Sequence, residues 1–216
     1  MRHFLIVSGG SIDDAFACHM IEEEQPDVMI AADKGMDFFY RNQKKPDFIV
    51  GDFDSAEHES LSYFQSRSDV QIRELCPIKD DTDTESAIRY ALEQGAEKIT
   101  LLGATGSRLD HVLGNVELLG IGLKVGVPIV IVDAKNRIRM IDKGVVIKKA
   151  EQHGTYVSLL PYTEEVTHLT LRGFKYSLTD ATLMGFCSLG VSNEIIEEKA
   201  EIDFDGGILL VIESRD

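Results

Sequence analysis

Up to about residue 135, short apolar runs recur along the chain at positions 4–7, 28–32, 48–50, 99–102 and 129–132, with a weaker one at 70–75. Near-continuous apolar runs of this length are expected of strands covered on both faces. Between them, stretches with helical periodicity lie at roughly 12–24, 35–42, 56–66, 84–94 and 109–125. The alternation predicts an α/β unit, a parallel sheet with helices on both faces. The helix start at Thr82 is the best marked. Thr82-x-x-Glu85 has the form of a capping box, Ala87, Ile88, Ala91 and Leu92 share one face, and Gly95 follows.

Beyond that point the pattern changes. Segments 138–141, 145–148, 156–160, 166–171, 174–177, 200–204 and 208–212 are short and often alternate, with turns such as Asp142-Lys143-Gly144 and Asp205-Gly206-Gly207 between them. This predicts a smaller all-β unit, a sandwich. The expected division is therefore 1–136 for the α/β unit and 137–216 for the β unit.

Charge narrows the partners. A net charge of −15 argues against a nucleic-acid surface, which needs a basic face. It is compatible with a metal-bound nucleotide, since Mg²⁺ bridges carboxylate and phosphate. The three cysteines, Cys18, Cys76 and Cys187, form no CxxC pair, so neither a disulfide framework nor structural zinc is expected. No apolar run approaches the ~20 residues that span a bilayer. The apolar run at residues 4–7 is too short for a signal peptide, and Asp13-Asp14 follow soon after it. The expected compartment is the cytoplasm.

The chemistry-bearing residues gather where loops leave the strands. Gly51-Asp52-Phe53-Asp54-Ser55 follows the third run, and Lys79-Asp80-Asp81-Thr82-Asp83 precedes the fourth helix. Two clusters of hard oxygen ligands at the ends of parallel strands point to Mg²⁺ and phosphate. Either cluster alone would equally describe a solvated turn or a helix cap. The other loops on the same rim carry Ser8-Gly9-Gly10, Asp33-Lys34-Gly35 and Gly103-Ala104-Thr105-Gly106-Ser107-Arg108. No GxGxxG or GxxxxGK[ST] motif occurs, so neither a dinucleotide fingerprint nor a P-loop is present. Arg108 offers a fork of donors matched to phosphate, while Asp110 could pair with it or cap the helix that follows. Gly190-Val191-Ser192-Asn193 is a polar turn after the apolar stretch 183–189. Its Ser and Asn are either turn formers or neutral hydrogen-bonding groups for a heteroaromatic ring.

Five motifs in this order resemble those of the thiamin pyrophosphokinase family. They are Ala32-Asp33-Lys34-Gly35, Gly51-Asp52-Phe53-Asp54-Ser55, Asp80-Asp81-Thr82-Asp83, Gly106-Ser107-Arg108-Leu109-Asp110-His111 and Val191-Ser192-Asn193-Glu194. The resemblance implies transfer of pyrophosphate from ATP to the thiamin hydroxyl, giving thiamin diphosphate and AMP, in a homodimer with sites at its interface. It implies Asp52, Asp54 and Asp83 as Mg²⁺ ligands, with Arg108 and Asp110 beside them in the catalytic set. ATP contacts fall to Asp33, Lys79, Asp80, Thr82 and Arg108, and thiamin contacts to Ser192 and Asn193. The chain has no tryptophan, so ring stacking on thiamin would need a Phe or Tyr. Two other readings share these residues: a pyrophosphokinase acting on a hydroxymethyl pterin, and a nucleotide- or vitamin-sensing module without turnover.

Overall fold

A computed structural model describes residues 1–53, 57–74 and 81–216. Its contacts divide the chain into two units, Met1–Ala134 and Lys135–Asp216.

In the first unit the apolar runs form parallel strands. The elements in order are β1 (His3–Val7), α1 (Asp14–Glu24), β2 (Val28–Ala32), α2 (Gly35–Arg41), β3 (Phe48–Gly51), α3 (His58–Gln65), β4 (Gln71–Glu74), α4 (Asp83–Glu93), β5 (Lys98–Leu102), α5 (Leu109–Val125) and β6 (Ile129–Val132). The strands lie in the order β6-β5-β1-β2-β3-β4, every pairing parallel. The central strand β1 is buried along its whole length, as its unbroken apolar run requires. Leu5 and Val7 pack on one face with Ala17 and Ile21 of α1, Met36 and Phe39 of α2 and Phe64 of α3. On the other face α4, with Ala87, Ile88 and Ala91 buried, packs against β1, β2 and β3. Each large side chain taken from water there contributes roughly 1.5–3 kcal/mol.

Local signals set where helices begin. The Asp13 carboxylate caps α1 by accepting the Phe16 N–H at 3.0 Å. Thr82 caps α4 as its spacing predicts, its hydroxyl accepting the Glu85 N–H at 3.2 Å. The Glu85 carboxylate binds Arg89 at 2.6 Å, one turn along the helix.

The second unit is a sandwich. One of its sheets has the order β12-β9-β14-β7 and the other β11-β10-β13-β8. The strands are β7 (Asn136–Ile141), β8 (Val145–Lys148), β9 (Tyr156–Pro161), β10 (Glu165–Arg172), β11 (Leu178–Met184), β12 (Asn193–Glu194), β13 (Lys199–Asp203) and β14 (Leu209–Ser214). Val157, Leu159, Leu209 and Val211 from the first sheet meet Ile147, Val166, Leu169, Leu171 and Ile202 from the second in one apolar core.

The expected strand at 174–177 is not among these. Phe174 is buried and makes an isolated bridge to Ile195, and the strand in this region is β11. β11 is an edge strand in which Leu183 is the one fully buried residue. Its hydrophobic alternation is therefore nearly absent. Its pairing with β10 is also irregular, with His168 and Asp180 both at positive φ.

Candidate active site

The parallel order brings the loops after β1, β2, β3 and β5 to one edge, where ligands of open α/β sheets bind. A cavity of about 600 Å³ opens there, large enough for a nucleotide. It is lined by the β1 loop, by Asp33 and Lys34 after β2, by Thr82, Asp83 and Thr84 at the start of α4, and by the β5 loop through Arg108. The β1 and β5 loops are laced together: the Gly10 N–H donates to Gly103 O at 2.7 Å and the Ser11 N–H to Thr105 O at 2.8 Å. A Cβ on Gly10 would meet Thr105 O at 2.3 Å, so glycine is required there by the approach of a second chain segment.

Carboxylate oxygens of Asp33, Asp52 and Asp83 lie within 4.8 Å of one another. Asp33 is 8% exposed, and Asp52 and Asp83 are half-buried. Each arrives from a different element. Asp33 follows β2 in the left-handed region (φ 46°), its N–H held by Val50 O at 2.8 Å. Asp52 follows Gly51 at the end of β3, and Asp83 opens α4. The Thr84 hydroxyl, next to Asp83, donates to the Ser8 hydroxyl at 3.0 Å and ties α4 to the β1 loop. Oxygens that bind one Mg²⁺ at neighbouring positions are ~3 Å apart and at opposite positions ~4.2 Å, given bonds of ~2.1 Å. The three carboxylates, with oxygens within 4.8 Å of one another, approach that spacing.

Arg108 lines the cavity, and its guanidinium pairs with Asp110 at 2.6 Å, both groups largely exposed. The hydrogen bond from Arg108 holds the Asp110 carboxyl below its usual value and raises Arg108. On the other side, Arg41 pairs with Asp14 at 3.0 Å and holds that carboxyl down by the same means. Asn115 of α5 donates to Ala104 O at 2.8 Å and braces the β5 loop.

Of the residues expected at the site, Asp33, Thr82, Asp83 and Arg108 line the cavity, and Asp52 joins the carboxylate group. Asp54, Lys79 and Asp80 lie outside the described residues. Ser192 and Asn193 belong to the second unit. Ser192 is exposed at φ 60°, its N–H bound to the Ser158 hydroxyl at 3.0 Å. Asn193 is buried and its amide is engaged: Oδ1 accepts the N–H groups of Tyr176 (3.0 Å) and Glu194 (2.9 Å), and Nδ2 donates to Tyr176 O at 2.8 Å.

Sequence reasoning placed Asp33 on the rim without grouping it with the metal carboxylates. It also set Lys34 on the same rim without giving it a role; Lys34 is an exposed cation lining the cavity that makes no ion pair among the described residues. The signal for both was present, because Asp33-Lys34 ends an apolar run just as Asp52 does.

These features define a class: an α/β protein that handles a phosphorylated ligand at the carboxyl ends of its strands, joined to a β-sandwich. The family model described as "Thiamin pyrophosphokinase, catalytic domain" matches residues 21–131, and "Thiamin pyrophosphokinase, vitamin B1 binding domain" matches residues 144–209. The chain is 33% identical to thiamine pyrophosphokinase of Bacillus subtilis, over 88% of each protein. Among solved structures, that of the Bacillus subtilis enzyme superposes with a TM-score of 0.89 at 32% identity, covering 100% of both chains. Thiamin pyrophosphokinase of Geobacillus thermodenitrificans gives 0.84 at 34%, covering 99% of this chain and 98% of the other. The yeast enzyme shares the fold at 17% identity, with a TM-score of 0.81. The chain belongs to the thiamin pyrophosphokinase family.

Proposed function

We propose that this protein transfers the pyrophosphoryl group of ATP to the hydroxyl of thiamin, releasing AMP. The observation that carries this reading is the Asp33, Asp52 and Asp83 group beside a nucleotide-sized cavity, in a chain whose two units each match a domain of the family. Mg²⁺ held by these carboxylates would neutralise and orient the triphosphate. Asp54 is assigned to the same ligand set by its place in the Asp52-Phe53-Asp54 motif. Arg108, with Lys34 and Lys79, supplies cationic donors to the phosphate oxygens. Thr82 precedes Asp83 at the α4 start, and Asp80 is assigned to ATP by its place in the Asp80-Asp81-Thr82-Asp83 motif. Transfer of this kind depends mainly on positioning and charge neutralisation, so the thiamin oxygen must be held in line with the β-phosphorus. Asp110 orients Arg108 through their ion pair.

The acceptor ring is assigned to the second unit, around Ser192, with Asn193 shaping the turn beneath it. Tyr176 (61% exposed) and Phe186, fully exposed, supply aromatic surface close to Ser192 in sequence or through Asn193. The match of residues 144–209 to a vitamin B1 binding domain favours thiamin over a pterin. Apolar side chains are exposed beside each half-site: Leu109 and Leu113 on α5, and Leu189, Val191 and Ile196 near the Ser192 turn. Such surface supports a homodimer in which one subunit supplies the carboxylates and the other the ring site. No described helix is long and apolar enough to cross a membrane, and use of ATP and Mg²⁺ suits a cytoplasmic enzyme.

The test is AMP release from ATP with thiamin, a hydroxymethyl pterin or no acceptor, with and without Mg²⁺. Thiamin- and Mg²⁺-dependent AMP with matching thiamin diphosphate is expected. ATP binding without AMP from any acceptor would leave a sensing module instead.

A further inference from the structure

Helix α3 has no cap of its own. Glu57 stands at its N-cap position and makes no side-chain capping hydrogen bond, although the first turn of any helix leaves N–H groups to be satisfied. Asp37, on α2, caps it from outside. Its Oδ1 accepts the Glu57 N–H at 3.3 Å and also the hydroxyl of Ser60, within the first turn of α3. The Ser60 hydroxyl is also within 2.8 Å of Glu57 O. Asp37 is 2% exposed and Ser60 0%. The other oxygen, Oδ2, is buried with no hydrogen-bond partner among the described residues. A carboxylate so placed gives up hydration on Oδ2 without compensation, which makes it a costly way to cap a helix. Asp13 and Thr82 cap their helices locally, without that cost.

The clamp's position supplies a reason. Asp37 lies four residues after Asp33, and Glu57 lies five residues after Asp52. One end of the Asp52–Glu57 segment is set by β3, which pairs with β2 and β4 in the sheet. The other end is set by Asp37, itself anchored one helical turn beyond Asp33. The bond therefore joins the element that follows one carboxylate of the cluster to the element that follows another. We infer that Asp37 and Ser60 are positioning residues for the metal cluster, holding the far end of the acidic loop so that Asp52 meets Asp33 and Asp83. This rests on the reading of that cluster as a metal site. The role requires a hydrogen-bond acceptor at Oδ1 and does not require the charge.

Mn²⁺, a paramagnetic probe with similar oxygen chemistry, tests this by electron paramagnetic resonance on the protein without nucleotide. Asp37→Ala and Ser60→Ala should weaken Mn²⁺ binding by about tenfold, the size of effect expected from losing one hydrogen bond that holds the loop. Asp37→Asn keeps the acceptor and should bind within about threefold of wild type, a rescue that a role for the charge would not show. In turnover, the KM for Mg²⁺ should rise in the two alanine variants while kcat at saturating Mg²⁺ changes little. A lowered melting temperature with unchanged Mn²⁺ affinity would reduce Asp37 to a structural cap and overturn the inference. So would an Asp37→Asn variant as impaired as Asp37→Ala. If Asp37→Ala does not fold, Ser60→Ala decides alone by the same criterion. Asp52→Asn separates the two readings, because wild-type Mn²⁺ binding in that variant would remove the metal assignment and this inference with it.

Discussion

The backbone of Asp33 lies so close to Gly51 that a Cβ on the glycine would stand 3.0 Å from the Asp33 Cα and 3.1 Å from its Cβ. This contact brings the chain leaving β2 against the end of β3, and with it the Asp33 carboxylate beside Asp52.

Gly51→Ala should therefore push apart the two loops that carry Asp33 and Asp52 in the proposed metal site. Overpacking of this kind typically costs about 1–3 kcal/mol in stability. The functional effect should exceed the structural one, as a raised Mg²⁺ requirement that excess Mg²⁺ partly relieves. Initial rates against Mg²⁺ concentration, alongside thermal melting, would show it. An unchanged Mg²⁺ dependence would mean that the close approach does not shape the cluster.

Ser192 and Asn193 should behave differently despite being neighbours. Ser192→Ala removes an exposed hydroxyl and should leave stability unchanged while raising the thiamin KM up to about tenfold, the worth of one neutral hydrogen bond. Asn193→Ala strands the Tyr176 N–H and C=O as well as the Glu194 N–H, and should cost about 1–3 kcal/mol in urea unfolding in addition to weakening thiamin binding. ATP affinity, measured by calorimetry, should be the same in both. A fall in ATP affinity would reassign the roles of the two units.

Glu213 of β14 provides a pH-dependent term. Its carboxylate is fully buried, bound by Arg137 at 2.5 and 2.9 Å, by Arg139 at 2.9 Å and by the His153 N–H at 3.0 Å. Burial alone would raise its pKa, but the Arg137 hydrogen bonds, the His153 amide and the two arginine charges outweigh it and hold the group below 4.5. A folded-state pKa below the unfolded one gives stability that is complete above about 4.5 and is lost as pH falls through the folded value. Glu213→Gln should remove that acid-side loss. At pH 7 it should destabilise by about 3 kcal/mol, the low end for a broken ion pair, because Arg137 and Arg139, both half-buried, lose their counter-charge. Urea unfolding from pH 3 to 7 would read both effects, and parallel curves for the two proteins would refute the assignment.

The proposed shared site makes a sharper demand. Mix an Asp83→Asn protein with a Ser192→Ala/Asn193→Ala double variant, then unfold and refold them together. Random pairing makes half the dimers mixed, and each mixed dimer has one site with both lesions and one with none. Activity should then return to about a quarter of wild type. If each site drew both motifs from one chain, exchanged dimers would stay as impaired as their parents.

Periodicity was enough to read the alternating elements of the first unit, the cap at Thr82 and the change to β structure after residue 135, because these depend on the order of side chains along one segment. The acidic motifs were legible for the same reason, since Asp52-Phe53-Asp54 closes an apolar run and Asp80-Asp81-Thr82-Asp83 opens an amphipathic helix. β11 was not, because an edge strand with one buried residue carries almost no alternation. The cluster of Asp33, Asp52 and Asp83 joins residues separated by 19 and 31 positions, as their numbers give. Their meeting depends on the order β1-β2-β3 in the sheet and on the missing Cβ of Gly51. Nor does the local pattern show that Asp37 caps α3 or that Asn193 spends its amide on Tyr176. Hydrogen bonds between distant segments follow from which elements pack together, and packing is a property of the whole fold.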